Sequence, residues 1–123
     1  MIHYLKQAAK VVLCILIAAV SSCTFNTKFD KKKWGDSDPA FPSEYRNGML
    51  NDLTKNHKLK GLTKKQIITL LGVPDYVENN LIIYNIRIDY GGDTDITYSK
   101  KLKFFYLPDS TVTSFSIIEW RKD

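Results

Sequence analysis

The chain predicts an α+β domain in which two N-terminal helices pack on one face of a three-stranded antiparallel meander, in the order ααβββ. Three observations predict it. The stretch from Gly61 to Asp75 carries a helix marked at both ends. From Asn80 the apolar period changes to two, the period of a strand with one buried face. The connections between the apolar runs beyond that point are short, so neighbouring strands are antiparallel.

The Gly61–Asp75 helix is the clearest element. Thr63 is placed to cap it, and Gln66 completes a capping box by reaching back to the Thr63 backbone N–H. Ile67, Ile68 and Leu71 fall on one face at helical spacing. Gly72 closes the helix in a left-handed conformation, and Pro74 prevents continuation. An earlier helix is predicted from Ser43 to about Lys55, with Ser43 as N-cap and Glu44 complementing the positive helix end. Tyr45, Met49, Leu50 and Leu53 form its apolar stripe. Gly48 lowers helix propensity by roughly 1 kcal/mol, which points to a close approach or a frayed turn there. Leu59 packs under the connection, and His57 reads as a turn residue rather than a ligand.

In the first strand Ile82, Tyr84, Ile86, Ile88 and Tyr90 share one face, with Asn85, Arg87 and Asp89 opposite. Gly91–Asp95 breaks it. A second strand runs from about Tyr98 to Leu107 and sets Leu102, Phe104 and Tyr106 against Lys101, Lys103 and Phe105. Pro108-Asp109-Ser110 is turn chemistry. The third strand, from about Thr111 to Arg121, needs a bulge near Thr113 or Ser114 to bring Val112, Phe115 and Ile117 to one face. Leu71, Tyr84, Phe104 and Ile117 are the expected core anchors.

The chain divides into a leader, 1–22, a lipidated tether, 23–42, and a folded domain, 43–123. Lys6 and Lys10 precede an apolar run of ten residues, Val11 to Val20, followed by Ser21, Ser22 and Cys23. The run is shorter than the roughly twenty apolar residues a membrane-spanning helix needs, so it reads as a signal peptide. Removing Lys6 and Lys10 with it lowers the formal net charge from +5 to +3. Cys14 leaves with the leader, and Cys23 is then the one remaining cysteine, which excludes an internal disulfide. Thr24 to Pro42 has no period and reads as an extended tether, with Lys31, Lys32 and Lys33 as a solvated spacer or a headgroup contact. Trp34 and Phe41 are isolated aromatics of the kind that tuck against their own domain.

Val20-Ser21-Ser22-Cys23 resembles the lipobox of bacterial lipoprotein signal peptides. The resemblance implies cleavage before Cys23 and acylation of its sulfur. Two or more acyl chains hold firmly, at about 0.8 kcal/mol per buried methylene. Thr24, where many enterobacterial lipoproteins carry an inner-membrane aspartate, implies the outer membrane. Met49-Leu50-Asn51-Asp52-Leu53, Leu59-Lys60-Gly61-Leu62-Thr63-Lys64 and Leu70-Leu71-Gly72-Val73-Pro74-Asp75 resemble the BamE-type (SmpA/OmlA) small outer-membrane lipoproteins, the last two segments through that family's signature helix. That family pairs a lipobox cysteine and a tether with two helices and a three-stranded sheet. The fold is shared with β-lactamase inhibitor proteins. The resemblance implies a periplasm-facing, lipid-anchored protein that supports assembly of β-barrel proteins. Its matching residues cap and pack a helix and carry no chemistry.

The sequence holds no constellation for catalysis. With His3 in the leader, His57 is the one mature histidine, so Cys/His catalysis and zinc sites lack components. There is no nucleophile elbow or P-loop. Asp89, Asp93 and Asp95 lack the ligand series of a calcium loop, so neither a metal nor another cofactor is expected beyond the lipid on Cys23. A net charge of +5 and a pI near 9.2 come without a dense basic face or an aromatic-basic motif, which argues against nucleic acid. A non-enzymatic protein-binding adaptor is the leading function class, without a small-molecule substrate, and an inhibitor or accessory module for an unrelated envelope protein is the alternative. Phe105 and Trp120, on the face away from the helices, are the candidate partner-binding residues; they serve equally as cover for the tether, packing with Trp34 or Phe41.

Overall fold

Local capping and alternation fix the elements of the computed structural model, which describes residues 27–35 and 38–123. The leader and the lipidation candidate Cys23 lie outside the described residues. The elements are α1 (Lys31–Trp34), α2 (Arg46–Asn56), α3 (Lys64–Leu71), β1 (Tyr76–Glu78), β2 (Leu81–Tyr90), β3 (Ile96–Tyr106) and β4 (Val112–Arg121). The strands form one antiparallel sheet in the order β1-β2-β3-β4. The class is α+β with a meander, but the sheet has four strands rather than three and a helical turn precedes the two predicted helices.

Helix α3 forms as its sequence dictates. Thr63 Oγ1 accepts the Gln66 N–H at 3.1 Å, and Gln66 Oε1 accepts the Thr63 N–H at 2.9 Å. Gly72 has φ of 84° and donates its N–H to Ile68 at 2.7 Å. The Tyr84 hydroxyl then donates to the Gly72 carbonyl at 2.7 Å, tying the helix end to the sheet.

Helix α2 starts two residues later than predicted. Ser43 does not cap it: its hydroxyl donates to the Lys33 carbonyl at 2.8 Å, and Tyr45 is the N-cap without a side-chain bond. Tyr45 is consequently exposed, and Arg46 takes the first buried position, ahead of Met49, Leu50 and Leu53. The Gly48 close approach is real. Thr27 donates its N–H to the Gly48 carbonyl at 3.1 Å, and a Cβ at Gly48 would lie 2.8 Å from Thr27 Oγ1.

The stretch read as an extended tether contains α1. Asp30 caps it by accepting the Lys32 N–H, and Gly35, at φ of 62°, closes it. Trp34 is fully buried, edge-on to Tyr84 at 6.2 Å. Burying about 200 Å² of indole contributes on the order of 5 kcal/mol, whereas ordering four residues costs about 1–2 kcal/mol each. Burial alone therefore does not hold this turn. The Arg46 guanidinium supplies the rest, donating to the Trp34 carbonyl at 3.0 Å and the Gly35 carbonyl at 2.6 Å while lying 5.1 Å from the Trp34 ring.

Strand β1 was not legible because three residues cannot show alternation. Its pairing Tyr76↔Ile83 to Glu78↔Leu81 leaves Asn79-Asn80 as the turn. Three irregularities interrupt the pairing elsewhere, one of them between Asp89↔Tyr98 and Tyr90↔Ile96. In β4 Thr113 is unpaired between Phe105↔Ser114 and Tyr106↔Val112, the predicted bulge, and it brings Val112 and Phe115 to the core side. In β2 the register shifts at Ile86, between Asn85↔Lys101 and Arg87↔Lys100. This shift overturns the expectation of one continuous apolar face. Ile82, Tyr84 and Ile86 are buried in the core, but Ile88 pairs with Ser99 on the opposite face and Tyr90 is exposed.

The core lies between the helices and one sheet face. Leu53, Leu59, Ile67 and Leu71 meet Tyr84, Leu102 and Phe104 there. Ile117 is a correction. It lies opposite Leu102 on the core face, yet it is 43% exposed because it sits on the outermost strand at a cleft beside α2.

Candidate functional site: the open sheet face

Directly paired residues share a face, and neighbours along a strand alternate. Phe105, Lys103 and Lys101 of β3 therefore point away from Leu102 and Phe104. Trp120 is opposite Ser99, and Ile118 is opposite Lys101. The register thus brings Phe105, Lys103, Lys101, Ile118 and Trp120 to one face, the face on which none of the described helices lies. Tyr76 joins it through its pairing with Ile83, and Lys101 Nζ lies 5.7 Å from the Tyr76 ring centroid.

Phe105 and Trp120 mark the two ends of this surface. Six residues of β3 separate Phe105 from Ser99, the partner of Trp120, which at 3.4 Å per residue is about 20 Å. Phe105 is 37% exposed, Ile118 42% and Trp120 50%. Trp34 is in the core, and Phe41 packs on Tyr90 at 5.7 Å, so neither of these two side chains meets Phe105 or Trp120. Residues 39–41 of the N-terminal stretch meet the sheet at its β2 end, where Asn85, the partner of Lys101, donates to the Pro39 carbonyl at 2.7 Å.

The face carries the cations Lys101 and Lys103 on β3 and, two residues beyond Tyr76, the exposed carboxylate Glu78 on β1. Arg87 pairs with Asp89 at 3.0 Å, Lys100 with Glu119 at 3.7 Å and Lys122 with Asp95 at 3.9 Å. Among the described residues Lys101 and Lys103 have no carboxylate within ion-pair distance. The surface combines apolar and aromatic side chains with two cations free of ion pairs, a composition that suits a partner carrying acidic groups.

The other residues singled out by sequence are scattered. Asp89 and Asp95 are engaged by Arg87 and Lys122, and no group of three or more metal-ligating side chains occurs among the described residues. His57 Nε2 lies 3.4 Å from Asp52 Oδ2 and its ring is edge-on to Phe29 at 5.5 Å. Asp52 also accepts the Phe29 N–H at 2.8 Å and the Asn56 amide at 2.7 Å, and these bonds, led by Asn56, hold its carboxyl below the ordinary aspartate value. This cluster anchors the N-terminal stretch to α2. Sequence reasoning missed Ile118 and Tyr76 as members of the open face. The strict alternation from Trp120 back to Ile118 was a usable signal, whereas Tyr76 needed β1.

Fold and face together define a class: a small α+β domain whose described helices cover one side of a four-stranded meander, with no described helix on the other side. Searches against family models, curated proteins and solved structures give no match for this chain.

Proposed function

We propose that the chain is a membrane-anchored, non-enzymatic protein-binding adaptor of the bacterial envelope, held at the periplasmic side of the outer membrane by acyl chains on Cys23. The open face, bearing Phe105, Ile118 and Trp120 with Lys101 and Lys103 between them, carries this reading. Aromatic side chains are over-represented among the anchors of protein interfaces, and cations outside ion pairs steer an oppositely charged partner. The resemblance of the lipobox and the Thr63–Asp75 element to BamE-type lipoproteins makes the β-barrel assembly machinery the first partner to test. The exposed lysines of α1 follow Cys23 by eight residues and rest within reach of anionic headgroups, at about 1 kcal/mol per lysine.

Crosslinking in membranes followed by pull-down tests the adaptor. Phe105→Ala and Trp120→Ala should each lower recovery of the partner, and recovery of no barrel-assembly component counts against that partner. Cys23→Ala should leave an unprocessed precursor that takes up no acyl label. A second reading is an inhibitor or accessory module for an unrelated envelope protein. It is favoured by one observation: strands β1–β4 build the face without any residue of the lipidated segment. Binding that survives removal of the lipid distinguishes it.

A further inference from the structure

The two edges of the sheet are treated differently by the chain. On the β1 side the edge strand is only three residues long. Beyond the three residues of β1, the β2 edge meets residues 39–41: Asn85 Nδ2 donates to the Pro39 carbonyl at 2.7 Å, and the Tyr90 hydroxyl donates to the Ala40 carbonyl at 2.6 Å. The Asp75 carboxylate takes the Asn85 N–H at 2.6 Å. On the β4 side the cover stops after one turn of pairing. Gly61 donates to the Val112 carbonyl at 2.8 Å, and Val112 donates to the Leu62 carbonyl at 2.8 Å. Beyond Val112 no described strand continues that pairing.

The stretch from Thr113 to Trp120 has little of the usual protection of an edge, its one charged residue being Glu119. It holds no lysine and no proline, and its bulge sits at its start. Lys122 donates its N–H inward to the Thr97 carbonyl, so alternation turns the N–H and C=O groups of Phe115, Ile117 and Glu119 outward.

A strand paired with this edge would lie about 4.8 Å from β4 and place alternate side chains on the two faces. On the helix side it meets a cleft of about 490 Å³ between α2 and β4. Leu50 and Ile117 supply its apolar wall, Asn47 and Asn51 its amides, and Lys55 and Lys100 its charge. Lys55 has no carboxylate within ion-pair distance among the described residues, and Lys100 donates to Asn47 Oδ1 at 2.9 Å with the exposed Glu119 at 3.7 Å. On the open side the added strand meets Ile118 and Trp120. We infer that the β4 edge accepts an extended segment of a partner protein in which acidic residues, facing the Lys55–Lys100 cleft, alternate with apolar residues, facing Ile118 and Trp120. Main-chain bonds to Phe115, Ile117 and Glu119 supply affinity, and the two rows of side chains supply specificity. The inference rests on the reading of this domain as a protein-binding module.

The test uses the full chain in detergent and a synthetic peptide of about nine residues alternating glutamate with valine, with a lysine–valine peptide of equal length as control. The glutamate peptide should slow amide exchange at Phe115, Ile117 and Glu119 by about tenfold or more, and the lysine peptide should not. Lys55→Glu combined with Lys100→Glu should reverse the preference. Ile117→Pro removes a donor that faces solvent, so it should leave the fold intact and abolish protection at Glu119. Equal protection by both peptides overturns the inference, as does the absence of edge protection with either. Protection that exists without peptide and disappears on dilution assigns the edge to a second copy of the chain and also overturns it. Failure here leaves the Phe105 and Trp120 crosslinking result standing, and loss of that crosslink leaves edge protection measurable.

Discussion

Arg46 Nη1 and Asp75 Oδ2 meet at 2.9 Å with side chains 0% and 2% exposed. The same guanidinium donates to the carbonyls of Trp34, Gly35 and Asn85, and the same carboxylate oxygen accepts the Asn85 N–H. One ion pair therefore joins α1, α2, the α3–β1 connection and β2. Burying two charges is costly, and here four surrounding hydrogen bonds and the Trp34 ring offset that cost. Arg46→Met should destabilise the domain by about 3–5 kcal/mol, because it leaves a buried carboxylate and three carbonyls without their donor. Asp75→Asn, which keeps an acceptor near Asn85, should cost less. Urea unfolding of both single variants and the double variant should show strong non-additivity, and additive effects would contradict a shared network.

The two kinds of apolar side chain on the sheet separate stability from recognition. Phe104 and Leu71 are 0% and 1% exposed, and truncating either to alanine should cost about 2–5 kcal/mol. Ile117→Ala, Phe105→Ala and Trp120→Ala should each cost less than about 1.5 kcal/mol, because their side chains keep a third or more of their surface in water. Thermal melts of this series check the division. An Ile117→Ala loss as large as that of Phe104→Ala would mean that the cleft beside α2 is closed in solution.

At Gly48 two effects of opposite sign compete. Alanine raises helix propensity by up to about 1 kcal/mol, but its Cβ meets Thr27 Oγ1 at 2.8 Å. Gly48→Ala should displace Thr27 and lose exchange protection at the Thr27 N–H, with little net change in stability. In a Thr27→Ala background the steric conflict is gone, and the same substitution should then stabilise α2. Equal effects in both backgrounds would show that Thr27 does not seat there.

Asp52 gives the N-terminal stretch a pH dependence. Its folded pKa is lowered, chiefly by the Asn56 amide and then by the Phe29 N–H. A lowered carboxylate contributes stability that is fully present above the ordinary value of 3.8 and is lost as pH falls through the folded value. Phe29 amide protection should therefore hold at neutral pH and decline below about pH 4, before global unfolding. Asp52→Asn should remove that acid-sensitive step. NMR exchange across an acid titration reads it directly, and a Phe29 amide insensitive to acid in the parent chain would refute the anchor.

How far the chain could be read in advance depended on the range of the interactions involved. The capping box of Thr63 and Gln66 and the Gly72 closure are bonds among residues three to four apart, so composition and spacing displayed them. The Thr113 bulge was legible because alternation in β4 broke visibly. The shift at Ile86 was not, because five apolar or aromatic residues in perfect alternation, Ile82 to Tyr90, concealed it. The candidate face was half legible. Alternation placed Phe105 opposite the core strand residues, but joining it to Trp120, Ile118 and Tyr76 required strand register.

The sequence alone determined the α+β class, the well-marked helix from Thr63, the turn at Pro108–Ser110 and the order of the main strands, since each follows from propensity, capping or period within a few residues. Tertiary structure alone decided that Trp34 is core rather than tether, that Arg46 displaces Tyr45 as the buried start of α2, that Tyr76–Glu78 adds a fourth strand and that Ile117 remains half in water. Those outcomes turn on which surfaces meet and which donors find carbonyls across the fold, and such energies belong to pairs of residues distant in the chain, beyond the reach of local pattern.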